Sequence, residues 1–386
     1  MKATLLNLPL LLVSTGGIVA TTNAAPPRFE AAVVDANVEI GYGLAIGDVD
    51  GDGKQDIILA DKREISWFRN PDWKEFSLAR NLTLRDNVCV AAADLDGDGK
   101  VEIAVGAQWN PGETTKPEDS GAVFFLARPE QSDQPWTPVP LFHDPTTHRM
   151  RWIPDGKGGQ TLVVLPLHGI GNIKGAGENF VNVRAYRVDP KKATESTAWT
   201  HQVLGAKLHV AHNFDDRDGI LYLGGAEGIV EESIASGVST PLITVENSSP
   251  PTRGVGEVRK GSDFLTAIEP FHGNDLVVYQ KPEGKDTWER TLLTDTLNQG
   301  HALAVGDIDG DGNEDIIAGW RNPDTEGHVG IKAFLQQGER WEPLWVTNDL
   351  VATEDLKVVD LNGDGRLDIV AAGRSTGNLV IFWNRE

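Results

Sequence analysis

Apolar residues in this chain come in short runs. Ile57-Ile-Leu-Ala, Ile103-Ala-Val-Gly, Ile316-Ile-Ala-Gly and Ile369-Val-Ala-Ala each follow directly on an acidic residue, and runs such as Leu303-Ala-Val-Gly stand just upstream. Runs of this length, bounded by Gly and Asp turns, predict short buried strands joined as hairpins. Between the paired runs lies one nine-residue template. It reads Asp48-Val-Asp-Gly-Asp-Gly-Lys-Gln-Asp56, Asp94-Leu-Asp-Gly-Asp-Gly-Lys-Val-Glu102, Asp307-Ile-Asp-Gly-Asp-Gly-Asn-Glu-Asp315 and Asp360-Leu-Asn-Gly-Asp-Gly-Arg-Leu-Asp368.

The spacing of the template predicts the architecture. The first two loops start 46 residues apart and the last two 53 apart, and the 213 residues from Asp94 to Asp307 are enough for four units of about 53, the second unit included. Several short strands per unit of about 50 residues point to propeller blades. A late strand led by an aromatic marks most units: Trp73, Trp136, Trp199, Trp288 and Trp341, with Pro241-Leu-Ile-Thr-Val in the fourth. The last unit, from Glu354, lacks this strand, whereas Phe29-Glu-Ala-Ala-Val-Val precedes the first. Phe29 to Tyr42, Trp288 to His301 and Trp341 to Glu354 each span 13 residues. The expectation is an all-β fold, a seven-bladed propeller over residues 28–386, whose N-terminal strand completes blade 7 and removes exposed sheet edges.

Composition refines this picture. Of 386 residues, 40% are hydrophobic and 24% charged, which suits a globular chain. The net charge of −22 leaves no basic surplus for phosphates, so a nucleic-acid partner is not expected. Ligand positions of the four loops hold 15 of the 57 acidic side chains, and four Ca²⁺ would cancel 8 of those 22 negative charges. Residues 1–24 read as a secretory signal peptide: Lys2, an apolar stretch from Leu5 to Ala20, then Thr22-Asn-Ala24 ahead of Ala25-Pro-Pro. Asn7, Pro9, Ser14 and Thr15 break that stretch below spanning length, so no membrane span is expected and the mature chain is expected to be secreted or periplasmic. The single cysteine, Cys89, cannot form an internal disulfide, which leaves metal loops as a source of stability.

In each loop, oxygen side chains at positions 1, 3, 5 and 9 and the carbonyl of position 7 converge as a hard cation requires. The expected Ca²⁺ ligands are Asp48, Asp50, Asp52 and Asp56; Asp94, Asp96, Asp98 and Glu102; Asp307, Asp309, Asp311 and Asp315; and Asp360, Asn362, Asp364 and Asp368. An EF-hand would need a helix and a Glu at position 12. These units resemble FG-GAP/VCBS repeats, known from the propellers of integrin α-subunits and from many exported bacterial proteins. A narrower resemblance rests on His148-Arg-Met-Arg-Trp, Leu165-Pro-Leu-His-Gly, His212-Asn-Phe, Gly256-Glu-Val-Arg, Gly300-His-Ala-Leu-Ala-Val-Gly-Asp and Gly319-Trp-Arg. These are similar to the propeller domain of the aldos-2-ulose dehydratase family, which implies a sugar-dehydrating activity. That family's cupin domains find no room here, so an isomerase activity is not expected.

Strands A to D of a blade run outward from the axis. The calcium loops are A–B loops and mark one face, and the chemistry is expected on the other, at the mouth of the axial channel. Internal alignment places Tyr42, Val88, His148, His212, His301 and Glu354 at the start of strand A, with Glu257 and Arg259 from blade 5 and His209 near His212. The B–C positions are Lys62, Gln108, His168, Glu227, His272, Arg321 and Arg374. His148, His168, His212, His272 and His301 are thus expected near one half of the mouth. Each alone is most simply a channel-lining residue bonded to water or backbone; as a set they suggest a site. Three could hold a transition metal such as Zn²⁺ with an open position. Alternatively one abstracts a proton beside a carbonyl while Arg321 or Arg151 stabilises the enolate. Tyr42 is either an acid or a platform for a sugar ring.

Both designs suit a carbon–oxygen lyase, a dehydratase-like enzyme performing β-elimination on a keto-sugar or uronate. The competing reading is a non-catalytic propeller that binds a glycan or a protein partner through the same face; a purely structural module is the third. Three of the five histidines within about 5 Å of one point would favour the enzyme. No Gly-x-Ser-x-Gly, phosphate loop or dinucleotide fingerprint in a strand-to-helix context occurs.

Overall fold

The structure, a computed structural model, describes residues 26–173 and 177–385. The signal peptide expected at residues 1–24 lies outside the described residues. Seven antiparallel sheets follow one another around an axis. The innermost strands are Gly43–Gly47, Cys89–Ala93, Thr147–Pro154, Ala211–Arg217, Glu257–Lys260, Gly300–Gly306 and Thr353–Val359. Each sheet runs outward in sequence order, except that the last is completed by Arg28–Asp35 alongside Asn378–Arg385. Blade 5 carries one extra pair of residues, Ser248–Ser249, parallel to its outer strand. Among the described residues no helix is long and apolar enough to cross a membrane.

The seven-blade count and the closure by the N-terminal strand therefore stand as expected. Phe29 pairs with Asn384 and packs against the core between blades 6 and 7, so the two ends of the chain lock one blade. Closure of this kind gives the last blade its fourth, outermost strand from the other end of the chain. The second strand of most blades is buried throughout, as in Asp56–Ala60, Asp315–Trp320 and Asp368–Gly373. It packs against the neighbouring sheet on both faces, which is why those segments read as unbroken apolar runs. Aromatics fill the space between sheets: Trp67, Trp320, Tyr186 and Tyr279 are all but inaccessible. The innermost strands face the axis on one side, so every second residue there is free to carry chemistry.

Candidate functional site

The four acidic loops connect the first and second strands of blades 1, 2, 6 and 7. Each is built the same way. The first Asp accepts the backbone N–H groups of both glycines: Asp48 from Gly51 and Gly53 at 2.6 and 2.7 Å, Asp94 from Gly97 and Gly99 at 2.7 and 2.9 Å. Asp307 and Asp360 repeat the arrangement. Both loop glycines take positive φ, for example 84° and 83° at Gly51 and Gly53, which a side chain would strain. The ninth carboxylate fastens the loop to its own blade. Asp56 binds the N–H of Val49 and Asn70, Asp315 that of Ile308 and Gln336, and Asp368 that of Leu361 and Asn384.

Burial raises the pKa of Asp56, Glu102 and Asp315 to about 7 each, despite those bonds. Carboxylate oxygens of Asp48, Asp50 and Asp56, of Asp94, Asp96 and Glu102, and of Asp307, Asp309 and Asp311 lie within 4.8 Å of one another. Such all-oxygen sets fit a hard cation, and the raised carboxyl groups are those a cation would return to the ionised form. Asp52 and Asp98 are also turned onto the N–H of Lys54 and Lys100.

The opposite end of the same inner strands is built differently. In blades 3, 4, 6 and 7 the pairing between first and second strands slips by one residue, between Thr147 and Arg149, Ala211 and Asn213, Gly300 and Ala302, and Thr353 and Asp355. The skipped residues are His148, His212, His301 and Glu354. A bulge leaves its extra residue unpaired and re-aims the side chain. Here it puts two consecutive residues of each strand toward the axis. The inner strands of blades 1, 2 and 5 pair without a slip.

Four imidazoles converge as a result. Ring centroids of His148 and His212 lie 4.6 Å apart, His212 and His272 4.5 Å, His272 and His301 4.9 Å, and His212 and His301 5.3 Å. The outer nitrogens of three of them face acceptors. His148 Nδ1 donates to the carbonyl of His212 at 2.8 Å, His301 Nδ1 to that of Glu354 at 2.6 Å, and His212 Nδ1 lies 3.1 Å from Glu257 Oε1. With Nδ1 protonated, His212 and His301 present the lone pair of Nε2 inward. His212 and His272 meet Nε2 to Nε2 at 2.6 Å, and ligand nitrogens of His212, His272 and His301 fall within 4.8 Å of one another. Two imidazole nitrogens at that distance share a proton or a cation between them. Nitrogen ligands held by carbonyl and carboxylate partners on their far side are what a transition-metal site requires.

His272 reaches this point from the turn after the second strand of blade 5. Phe271 has φ 44°, and its carbonyl lies so close to Gly256 that a Cβ there would stand 2.1 Å from the oxygen. Glycine is therefore needed beside Glu257 for the turn to sit where it does. Trp109 stacks on His148 with centroids 4.9 Å apart.

The group is electrically neutral at its centre and bounded by ion pairs. Burial, then the nearby Arg149, holds His148 well below the usual imidazole range; burial and Arg321 do the same to His301. His272 falls to about 2 through burial and its neighbours His212 and Arg321. Burial also lowers His212, against the pull of Glu257. Glu257 is kept ionised: burial alone would raise it, but His212 and Arg259 outweigh that, and Asn213 Nδ2 donates to it at 2.6 Å. Glu354 is clamped by Arg321 at 2.6 Å and Arg374 at 3.0 Å.

Some expected residues stand elsewhere. His168 is half-buried, bridging to Val210 and receiving no ring contact from the other four. Arg151 lies deeper in the channel, donating to the carbonyl of Phe214 at 3.1 Å and pairing with Asp215 at 3.5 Å, because the bulge turns Arg149 to the mouth instead. Tyr42 donates to Asp86 at 3.0 Å, and burial together with that carboxylate pushes its pKa up. Arg149 was not legible as a site residue, yet it donates to Nε2 of His148 at 3.1 Å and of His301 at 3.4 Å. Two consecutive polar residues opening a strand, as in His148-Arg149, His212-Asn213 and Glu354-Asp355, were the available signal. Strict alternation cannot place both on one face.

Beneath the mouth the strands alternate and a second ring of side chains faces the axis. It consists of Ala45, Ala91, Arg151, Asp215, Arg259, Ala304 and Lys357, which line two adjoining cavities. The larger has a volume of about 400 Å³ and also touches Arg149, Asn213 and Asp355.

Comparison with known proteins agrees with this architecture. Residues 48–105 match the FG-GAP-like repeat and residues 90–126 the FG-GAP repeat. The chain is 24% identical over 330 residues to aldos-2-ulose dehydratase of Phanerodontia chrysosporium, covering 74% of this chain but 34% of that protein. It thus spans about a third of the length of the curated relative it matches. Among solved structures, a chain of the mitotic checkpoint complex superposes with a TM-score of 0.59 at 12% identity, covering 98% of this chain and 99% of that one. BBS1N, crystallised in complex with ARL6DN, gives 0.57 at 14% identity, covering 93% and 98%. At such identities these likenesses establish the propeller fold alone.

Proposed function

We propose that the histidine mouth binds a divalent transition metal, such as Zn²⁺, together with a sugar-derived ligand, on an exported propeller whose acidic loops hold Ca²⁺. The observation that carries this reading is the orientation of the imidazoles. Ligand nitrogens of His212, His272 and His301 lie within 4.8 Å of one another, and the Nδ1 atoms of His301 and His212 face the Glu354 carbonyl and the Glu257 carboxylate on the far side. A metal held there supplies a Lewis acid for a ligand carbonyl or hydroxyl.

The finer reading is a carbon–oxygen lyase acting on a keto-sugar or uronate. Removing a proton beside the carbonyl and expelling water from the next carbon needs a base, an acid and charge stabilisation. His148 is neutral and its Nε2 accepts only from Arg149, so once that guanidinium turns to the ligand it can take the proton and return it to the leaving oxygen, which departs as water or an alcohol. Arg149 and Arg321 border the same point and can stabilise an enolate oxygen. Glu257 and Glu354 are bound on both oxygens and serve as positioning residues. The sequence likeness to a dehydratase supports the chemistry, within the third of that protein which the chain matches.

A non-catalytic propeller that binds a glycan or a protein is the second reading. It suits the fold comparison, in which the similar propellers are components of protein assemblies, and it requires no turnover. The two are separated by incubating the metal-loaded protein with a panel of keto-sugars and uronate oligosaccharides and following enone absorbance. An unsaturated product that disappears in His148→Ala supports the lyase. Saturable binding of a panel member without product leaves the binding reading.

A further inference from the structure

The chain carries a net charge of −22, yet its axial channel is cationic. Four bases, Arg149, Arg151, Arg259 and Lys357, line the 400 Å³ cavity beneath the mouth, against two acids, Asp216 and Asp355. A buried or channel-facing cation is costly unless paired, so four of them around one void call for an anion.

The pairing of these bases is incomplete. Arg149 touches His148 and His301, and among the described residues no carboxylate lies within ion-pair distance of it. Arg259 is 7% exposed; it donates to the carbonyl of Val258 and meets a carboxylate only at 3.5 Å, on Glu257, which Asn213 already engages. Arg151 reaches Asp215 at 3.5 Å. Lys357 alone has a close partner, Asp355 at 2.8 Å. A guanidinium offers five N–H donors in a fixed fork, so Arg149, Arg151 and Arg259 all have donors to spare.

The space opposite them is made by small residues. Where blades 3, 5 and 7 place Arg151, Arg259 and Lys357, blades 1 and 2 place Ala45 and Ala91, and Gly43 stands one step nearer the mouth. The void therefore lies on the side of blades 1 and 2 with the cations facing it. Its volume falls within the range of small-molecule sites, about 300–1,000 Å³. Arg149 joins it to the histidine centre.

We propose that this channel is an oxyanion-binding site, and that it takes the carboxylate of an acidic monosaccharide. Guanidinium forks match a carboxylate in bidentate geometry and reject a neutral hydroxyl group, which leaves them unpaired. The preference for an anion stands on the channel alone and does not require the mouth to be catalytic, while the choice of an acidic sugar rests on the sugar-derived ligand proposed above.

Titration calorimetry on the full chain in saturating Ca²⁺, with glucuronate, glucose and inorganic phosphate as probes, tests the proposal. Glucuronate is expected to bind at least tenfold more tightly than glucose. Phosphate competition would mark a general oxyanion site and its absence one shaped for the uronate; both support an anion in the channel. Arg151→Gln and, separately, Lys357→Gln should each weaken glucuronate at least tenfold. A melting temperature on each variant distinguishes lost binding from lost fold, and glucuronate binding to the native protein that fades with added NaCl gives a readout independent of any variant. Equal binding of glucuronate and glucose, no binding of either anion, or acid binding unchanged in folded variants would overturn it. Enone formation from a neutral keto-sugar alongside any of those results would leave the lyase reading intact while removing this one.

Discussion

The two ends of the propeller's inner strands solve opposite problems. At one end, four loops carry oxygen side chains within nine consecutive residues, and in three of them carboxylates gather within 4.8 Å, so each candidate site lies within one blade. At the other, blades 3, 4, 5, 6 and 7 each give one or two side chains to a single site that no blade contains. The first is hard, acidic and local, while the second is a nest of neutral imidazoles assembled across the axis. Local sites can stabilise blades one by one. A site shared across the ring exists only once the ring has closed, which is where function is expected to sit.

This contrast can be broken experimentally, beginning with its largest effect. Chelation by EDTA should lower the melting temperature by roughly 10 °C or more, and Ca²⁺ should restore it while Zn²⁺ does not, because each loop crowds carboxylates that repel without a cation. An unchanged melting curve would remove the calcium assignment. Next, His272→Ala should reduce Zn²⁺ retention by about 100-fold while moving the melting temperature by only about 2 °C, since His272 sits partly exposed on a turn. Retained Zn²⁺ would place the metal elsewhere.

Glu257→Gln should weaken Zn²⁺ by about 10–100-fold, through loss of the carboxylate behind His212. Equilibrium dialysis against a zinc indicator reads this directly. In saturating Ca²⁺, which keeps the loop carboxylates ionised against their raised pKa values, acidification acts through the histidines first. Their folded pKa values lie below the unfolded value of 6.5, so the unfolded chain binds more protons below that pH. Stability is therefore full above about pH 6.5 and falls as pH drops. Urea melts from pH 8 to 5 should show this loss, and a rise in stability toward pH 5 would contradict the burial of neutral imidazoles. The smallest effect belongs to His168→Ala, which should change Zn²⁺ affinity and any turnover less than twofold, because His168 stands outside the cluster.

The two ends also differed in how far the sequence revealed them. The loops are contiguous, so their ligands, their turns and their place between first and second strands could be read directly. The blade count followed from aromatic residues such as Trp288 and Trp341 at the head of each outer strand, because that position fills the gap between sheets. Of the four histidines that converge, His148, His212 and His301 share a first-strand register from blade to blade, and His272 joins them from a turn. The bulges could not be read from apolar periodicity, since an inserted residue shifts the pairing without altering which residues are hydrophobic. That hid Arg149 behind His148 and exchanged its place with Arg151. His168 illustrates the converse, in which the same register position in a turn leads to a different backbone path.

Anomalous diffraction from crystals grown with Ca²⁺ and Zn²⁺, recorded on both sides of the zinc edge, tests the central claim most directly. The account predicts one zinc peak ligated by Nε2 of His212, His272 and His301 at about 2.0–2.1 Å, with calcium confined to the acidic loops. An empty histidine centre with zinc bound only at the loops would contradict it.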